Sequence, residues 1–298
     1  MRYEIEHRTR YVYPEQVRGC VLTLCLEPVP TDGQRVLEFE IETRPAASLS
    51  PEQDGFGNRR HVLNVHRRHP ELMIISRLEV ERNPGPLPAA ACGWEEIRSL
   101  REAPEHWHLL RPSRLARPSR ALEDFAGCHN LHPGDDPMAS LVGLSDRLHR
   151  SFAYQPGSTS ADSPIEHVLE SGRGVCQDYA HVMIAIARSW GVPSRYVSGY
   201  LHTTGVPGEQ TVASGSHAWV ECRLPGAGWV GFDPTNATFS DERHIRVAAG
   251  RDYADVSPIS GVFQGTGDAK IEVDVIVKAV DPRELEEKVS GRNRRQRG

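Results

Sequence analysis

Cysteine is scarce in this sequence, and the six cysteines show no pattern. The 298-residue chain contains no C-x-x-C pair, which argues against a disulfide framework. The longest apolar run near the middle of the chain, residues 182–187, is far too short to cross a bilayer. The N-terminus has no apolar stretch of the kind found in signal peptides. These absences predict a cytoplasmic protein that does not cross a membrane.

An excess of positive charge is also absent. The net charge of -5 and the pI of about 6.3 provide no general surface for nucleic acid or for an anionic membrane. The exception is the basic segment 291–298, part of a charged tail over 281–298 that we expect to be disordered. The chain carries neither a P-loop nor a dinucleotide-binding glycine motif, so we predict no nucleotide cofactor.

Potential metal ligands occur close together at one place. Cys128, His129 and His132 are near neighbours, and His106 and His108 precede them. Zinc sites usually show paired clusters with cleaner spacing than this segment has. We therefore predict that the chain holds no metal.

Apolar and polar side chains alternate through the first 82 residues. Such period-two patterns are typical of antiparallel strands with one buried face, and the turn sequence at 54–58 separates two of them. Residues 1–82 are therefore predicted to form an N-terminal antiparallel β-sandwich-like domain. The proline-rich segment 83–88 opens a linker and helical lead-in over 83–150.

Residues 151–280 combine helices with strands. Proline and glycine signals bound a short helix at 164–170 and a second helix that begins near Val175 and stops at Gly191. Strands are predicted at 195–201, 217–224, 229–232 and 271–277. Helices followed by antiparallel strands indicate an α+β fold, and we assign 151–280, with the last strand, to one catalytic core.

Cys176 is predicted to lie in the first turn of the second helix. The unpaired N–H groups and the positive dipole end of a helix stabilise a thiolate there. The flanking Gly172 and Gly174 would let a substrate backbone come close. This position suits a nucleophile, while a buried cysteine that serves as a small apolar side chain is the alternative interpretation.

A nucleophilic cysteine needs an imidazole, and the imidazole needs a group that orients it. His217 begins one predicted strand, and Asp233 follows the end of the next. If these strands form a hairpin, both side chains meet at one end of the sheet. His217 would then pair with the thiol of Cys176, and Asp233 would hold the other ring nitrogen.

Three motifs resemble those of bacterial transglutaminase-like proteins. They are G-V-C-Q-D-Y-A-H around Cys176, S-H-A-W-V-E around His217 and G-W-V-G-F-D-P-T-N around Asp233. The N-terminal strands resemble the small β domain of that family, and the likeness extends to about residue 280. The resemblance implies a papain-like thiol fold without a cofactor. It assigns Cys176 as nucleophile, His217 as base and Asp233 as the group that orients the base.

The motif spacing differs from that of papain-type proteases. His217 follows Cys176 by 41 residues, from 176 to 217, whereas papain-type proteases place the histidine about 130–150 residues after the cysteine. Gln177 stands where animal transglutaminases carry a tryptophan, and the calcium-binding EF-hand loop is absent. The pattern therefore resembles a compact transglutaminase core.

These residues do not distinguish between water and an amine as the acceptor of the acyl group. A thioester on Cys176 could be resolved by water, as in an amidase or cysteine peptidase, or by an amine, as in a transglutaminase. We expect hydrolysis of a carboxamide or peptide bond in a peptide or protein substrate, because amine transfer needs a pocket that excludes water. A non-catalytic peptide-binding module is the remaining alternative.

Overall fold

Strands dominate both ends of the chain, and helices concentrate between them. The computed structural model describes residues 1–86, 92–213 and 215–281. The strands are β1 (Arg2–Val17), β2 (Cys20–Glu27), β3 (Gln34–Arg44), β4 (Ser48–Gln53), β5 (Arg59–Val65), β6 (His69–Arg82), β7 (Ala153–Tyr154), β8 (Arg173–Gly174), β9 (Ser194–Leu201), β10 (Gln210–Ala213), β11 (His217–Leu224), β12 (Gly228–Asp233), β13 (Thr238–Phe239), β14 (His244–Gly250), β15 (Ile259–Phe263) and β16 (Lys270–Ala279).

Most of the helices are short, and the fourth and sixth along the chain, with 15 and 14 residues, are the longer ones. The helices are α1 (Trp94–Ser99), α2 (Trp107–Leu110), α3 (Arg120–Cys128), α4 (Pro137–Ser151), α5 (Ile165–Ser171), α6 (Cys176–Ser189) and α7 (Tyr253–Val256), with 3₁₀ turns at Leu100–Glu102 and Pro104–His106. In the described part of the chain, no helix combines the length and the apolar character needed to cross a membrane.

Two facing sheets form the predicted sandwich. The larger has the strand order β10–β16–β1–β6–β3, and the smaller has the order β15–β2–β5–β4. Alternation along each strand directs one set of side chains inward; Leu24, Leu63, Leu72 and Ile74 are at most 1% exposed in the shared core. Burying each such side chain contributes about 1.5–3 kcal/mol, so this alternation holds the sheets together.

The terminal strand lies in the sandwich. β16 pairs with β1 along its length, for example Val277 with Ile5, and β15 pairs with β2. The expectation that this strand belongs with the catalytic core of 151–280 is therefore wrong, because alternation predicts a strand but carries no information about a distant partner. Residues 87–88 of the predicted linker and the tail from 282 onward lie outside the described residues.

A second five-stranded sheet packs against helix α6. Its order is β13–β12–β11–β9–β14, with antiparallel pairing throughout. α6 packs across β11 and β9 and buries its apolar face, including Tyr179, Val182, Met183 and Ile186. Gly191, just after the end of α6, has a positive φ of 86°, in agreement with the prediction that this glycine stops the helix. Helix on antiparallel sheet confirms the α+β class.

Candidate active site

A tight turn brings Cys176 to the first position of α6. α5 ends at Ser171, and the residue that caps it, Gly172, has the left-handed conformation with φ of 66°, which favours glycine. A Cβ atom on Gly174 would lie 2.8 Å from Val168 Cγ2 and 2.9 Å from Asp178 Oδ2. The close approach at Gly174 is therefore to the protein's own side chains, not to a substrate as the sequence suggests.

The carboxylate of Asp178 holds the start of α6. Its Oδ2 accepts the backbone N–H of Val175 at 2.7 Å and the hydroxyl of Thr159 at 2.6 Å. The side chain is buried, and burial raises its pKa even though both hydrogen bonds act in the opposite direction. Asp178 thus satisfies a donor of the first turn and fixes the position of Cys176.

The hairpin of β11 and β12 brings His217 and Asp233 together as predicted. His217 is the first residue of β11, Asp233 is the last residue of β12, and His217 Nε2 lies 2.8 Å from Asp233 Oδ2. Asp233 is fully buried, and the His217 side chain is 13% exposed. Because Nε2 faces the carboxylate, Nδ1 is the ring nitrogen left for Cys176.

Electrostatics make His217 and Asp233 an ion pair. Burial lowers the pKa of His217, but the charge and hydrogen bond of Asp233, with smaller contributions from Cys176, outweigh it and raise the pKa to about 10. Burial likewise raises the pKa of Asp233, and the imidazoles of His217 and His244 more than offset it, so that the net shift is far downward. An imidazolium beside a partly buried thiol can stabilise its thiolate.

Further donors surround the carboxylate of Asp233. The side-chain amide of Asn236 donates to Oδ2 at 2.7 Å, and the backbone N–H groups of Thr235 and Asn236 donate to Oδ1 at 3.0 and 3.3 Å. Aspartate followed by such local bonds is a common turn arrangement. The turn sequence D-P-T-N could have indicated Asn236, although the sequence analysis did not identify it.

His244 is a site residue that sequence reasoning missed. It is the first residue of β14, is 1% exposed, and places Nε2 3.1 Å from Asp233 Oδ2. Its Nδ1 faces Asp241, whose backbone N–H and Oδ1 lie 3.1 and 3.0 Å away. Because the carboxylate oxygen of Asp233 accepts, Nε2 of His244 is the donor in this hydrogen bond.

Tyr154 is a second missed residue near the nucleophile. β7 and β8 pair in parallel, and Tyr154 lies opposite Gly174. Gly174 in turn precedes Cys176 by two residues. The side chain is 55% exposed although large and aromatic. Its pKa is raised, first by burial of part of the ring and then by the charges of Cys176 and Asp233, so the phenol shares the electrostatic environment of the site.

One group of potential metal ligands coincides with this site. Single ligand atoms of His217, Asp233 and His244 lie within 4.8 Å of one another, but each already takes part in the hydrogen bonds described above. Within the described residues, the segment 128–132 forms no such group; Cys128 is exposed and His132 contacts Asn130. The absence of a metal stays a prediction.

Comparison with known proteins identifies the family of this arrangement. The model of the bacterial transglutaminase-like N-terminal region matches residues 3–81, and that of the transglutaminase-like superfamily matches residues 129–234. An uncharacterized protein of Mycobacterium leprae is 31% identical over 279 residues, which cover 93% of this chain and 98% of the relative. The chain belongs to the transglutaminase-like superfamily. Its superfamily match spans Cys176, His217 and Asp233.

Other relatives of this transglutaminase-like protein differ in how much of it they cover. An uncharacterized protein of Mycobacterium tuberculosis is 33% identical over 297 residues, with 94% of this chain and 92% of the relative aligned. A protein-glutamine gamma-glutamyltransferase of Pseudomonas aeruginosa is 34% identical over 110 residues, or 33% of this chain and 16% of that enzyme. The likeness to the enzyme is thus confined to part of the chain.

A solved structure shares the whole architecture. A protein from Cytophaga hutchinsonii, assigned only provisionally to the cysteine proteases, superposes with a TM-score of 0.73 over 94% of this chain and 91% of its own. Sequence identity is 19%, so this likeness concerns the fold. The papain-like fold implied by the motifs is confirmed together with the N-terminal β-rich region.

Proposed function

We propose that this transglutaminase-like protein catalyses thiol-dependent acyl transfer with Cys176 as nucleophile, His217 as general acid and base, and Asp233 as the group that orients His217. The observation that carries the proposal is the buried His217–Asp233 pair, 2.8 Å apart, next to a cysteine in the first turn of α6. Nucleophile, imidazole and orienting carboxylate together constitute the arrangement that covalent catalysis requires.

The reaction begins with attack of the Cys176 sulfur on the carbonyl carbon of an amide. A C–S bond forms, the C–N bond breaks, and His217 gives its proton to the departing amine. The raised pKa of His217, about 10, favours the protonated ring at neutral pH and so supplies this proton. In the second half, an acceptor loses a proton to His217 and attacks the thioester, which releases the thiolate.

The negative charge on the carbonyl oxygen needs hydrogen-bond donors. The backbone N–H of Cys176 lies in the first turn of α6, where N–H groups lack intrahelical acceptors, and is one candidate. The hydroxyl of Tyr154, on the strand paired with β8, is the second. Donors directed at the developing oxyanion are among the largest contributions to such reactions.

Water is the acceptor that we propose, so that the protein acts as an amidase or cysteine peptidase on a peptide or protein substrate. Water needs no dedicated pocket, whereas an amine acceptor needs one that admits it and excludes water. The part-chain likeness to a protein-glutamine gamma-glutamyltransferase favours the second candidate, transfer to an amine. Both candidates share the triad and differ only in the second step.

The first experiment measures alkylation of Cys176 by iodoacetamide against pH, with modified peptides identified by mass. Cys128, an exposed free cysteine, is the internal reference. We expect Cys176 to react well below pH 7 in the wild type and to lose this behaviour in His217→Ala. Reaction near pH 8.5 like a free thiol, or the same profile in both proteins, would contradict the triad and favour a binding module.

The second experiment separates hydrolysis from transfer. Glutamine-containing peptides are incubated with the protein with and without a fluorescent primary amine, and mass spectrometry follows deamidated, cleaved and amine-coupled products. If the protein is a hydrolase, we expect deamidated or cleaved peptides, formed at a rate that the amine does not change. If it is a transglutaminase, we expect the amine to be incorporated into the peptide. Cys176→Ala is the matched control and should lose turnover by several orders of magnitude.

A further inference from the structure

A separate cavity lies between the sheet of the active site and the sandwich. Its volume is about 560 Å³, within the range of about 300–1,000 Å³ that is usual for small-molecule sites. β11 contributes Trp219, Glu221 and Arg223 from the sheet face turned away from α6, and β6 contributes Arg82. None of the three proposed catalytic residues lines it.

Positive charge exceeds negative charge on the inner wall of this cavity. The carboxylate of Glu221 accepts from Arg195 at 2.6 Å and lies 3.5 Å from Arg246, so two guanidinium groups share one counter-ion. Arg82 is 7% exposed, and within residues 1–86, 92–213 and 215–281 its side chain donates only to the carbonyl oxygens of Gly33 and Asp241, both at 3.2 Å. Arg223 adds a further cation to the lining.

The lining holds as many acidic residues as arginines, four of each, but of the carboxylates only that of Glu221 lies deep in the wall, with 12% of its side chain exposed. Asp241 already pairs with Arg243 and His244 at 2.7 and 3.0 Å, and Asp32 and Glu242 are exposed at the rim. Glu221 and Asp241 attract Arg82, but Glu221 is shared with Arg195 and Arg246, and a shortage of negative charge around buried cations is unfavourable.

Burial lowers the pKa values of two lining arginines. Burial lowers the pKa of Arg195 to about 10 despite Glu221, and burial also lowers the pKa of Arg82. A bound anion would offset this desolvation, since an opposite charge nearby favours the charged form of each guanidinium.

Unpartnered donors accompany the excess charge. Among the residues that the structure describes, the indole Nε1–H of Trp219 and the Nε–H groups of Arg82 and Arg246 have no hydrogen-bond partner. Trp219 is 1% exposed, and all three residues line the cavity. Buried donors are nearly always satisfied in folded proteins, but these three atoms are enclosed within the wall and do not themselves open into the cavity.

We propose that this cavity binds a small organic anion through a carboxylate or phosphate group held by Arg82, Arg223 and Arg246. Guanidinium groups bind both anions with paired, charge-assisted hydrogen bonds. The ring of Trp229, with the Arg195 guanidinium 3.9 Å from its centroid, provides an aromatic wall for the remainder of the ligand.

Isothermal titration calorimetry of the full chain, at constant ionic strength, tests the proposal with inorganic phosphate, glutarate and the neutral analogue glutaramide. The protein carries Cys176→Ala, so that binding is measured independently of the proposed catalysis. We expect saturable binding of phosphate or glutarate at one site and none of glutaramide. Arg223→Gln and Arg82→Gln should each weaken binding at least tenfold, whereas Arg120→Gln, on the exposed face of α3, should not.

Each calorimetric result either supports or contradicts the proposed anion site. Binding of phosphate alone or of glutarate alone supports the site and identifies the anionic group. Absence of saturable binding for both anions overturns the proposal, and so does equal affinity in Arg223→Gln and the wild type, or equal loss in Arg120→Gln. If circular dichroism shows that Arg82→Gln does not fold, the partly exposed Arg223→Gln decides alone.

Discussion

His244 and His217 contact the same oxygen of Asp233. Their Nε2 atoms lie 3.1 and 2.8 Å from Oδ2, so the carboxylate that orients the proposed base is itself held by a second, fully enclosed imidazole. The Nδ1 side of His244 faces Asp241, which extends the network one residue further from Cys176. Asp233 is thereby fixed from β14 as well as from its own turn.

His244→Gln should lower kcat about 10–100-fold and leave KM nearly unchanged. The variant weakens one donor to a buried carboxylate, an effect of about 1–3 kcal/mol, and allows Asp233 and therefore His217 to leave the reactive orientation. Steady-state kinetics on a peptide that the product analysis identifies as a substrate measure both constants. His132→Gln, on an exposed histidine, is the control; a change in KM alone would argue against a positioning role.

Tyr154→Phe should lower kcat by on the order of 100-fold if its hydroxyl stabilises the oxyanion. The aromatic ring remains, so substrate binding and KM should change little. Thermal unfolding should also be unaffected, because the side chain is more than half exposed. Tyr11→Phe, in β1 of the sandwich, is the matched control; an unchanged kcat in Tyr154→Phe would remove this residue from the mechanism.

The His217–Asp233 pair should make stability depend on pH at both extremes. His217 has a folded pKa of about 10, above its unfolded value of 6.5; its contribution is complete below pH 6.5 and is lost as pH rises toward 10. Asp233 has a lowered pKa; its contribution is complete above its unfolded value of 3.8 and is lost as pH falls below it.

Urea unfolding of wild type and His217→Gln at pH 6, 8 and 10 measures this dependence. The difference in free energy of unfolding between the two proteins should be largest at pH 6 and smallest at pH 10. His132→Gln, on an exposed histidine, is the control for replacing an imidazole by an amide. A difference that grows with pH would mean that His217 is neutral in the folded protein.

The pairing of His217 with Asp233 could be predicted because both residues belong to one hairpin. Adjacent strands with a short connection are neighbours in most folds, so residues at the open end of the hairpin must meet. The first turn of α6 is similarly predictable from Gly172, Gly174 and the apolar run after Cys176. Local sequence is therefore enough to place the three proposed catalytic residues on their helix and strands.

Residues that reach the site from other strands could not be predicted in this way. His244 joins through β14, whose partner is β9, and the sequence around it carries no pattern that specifies this register. The prediction for the terminal strand is wrong for the same reason, since its partner β1 lies at the opposite end of the chain. Pairing over such separations depends on the whole fold, not on a local period.

Gly174→Ala should destabilise the protein by about 1–3 kcal/mol, the usual effect of overpacking. The added methyl group would lie within 3.0 Å of Val168 and Asp178, and relief of this clash would displace the start of α6 and Cys176 with it. Activity should therefore fall together with stability. Gly127→Ala is the control, because no side chain and no backbone from outside its own helix lies within 4 Å of the position of the added methyl group, and alanine favours helix α3.

Chemical denaturation and the alkylation rate of Cys176 follow the two effects of Gly174→Ala separately. A stable Gly174→Ala protein with normal alkylation would mean that the turn yields without moving the thiol. A destabilised protein with slower alkylation at pH 6 would connect the packing of Gly174 on Asp178 to the reactivity of Cys176. We expect the latter, since Asp178 also accepts the backbone N–H of Val175, the residue before the nucleophile.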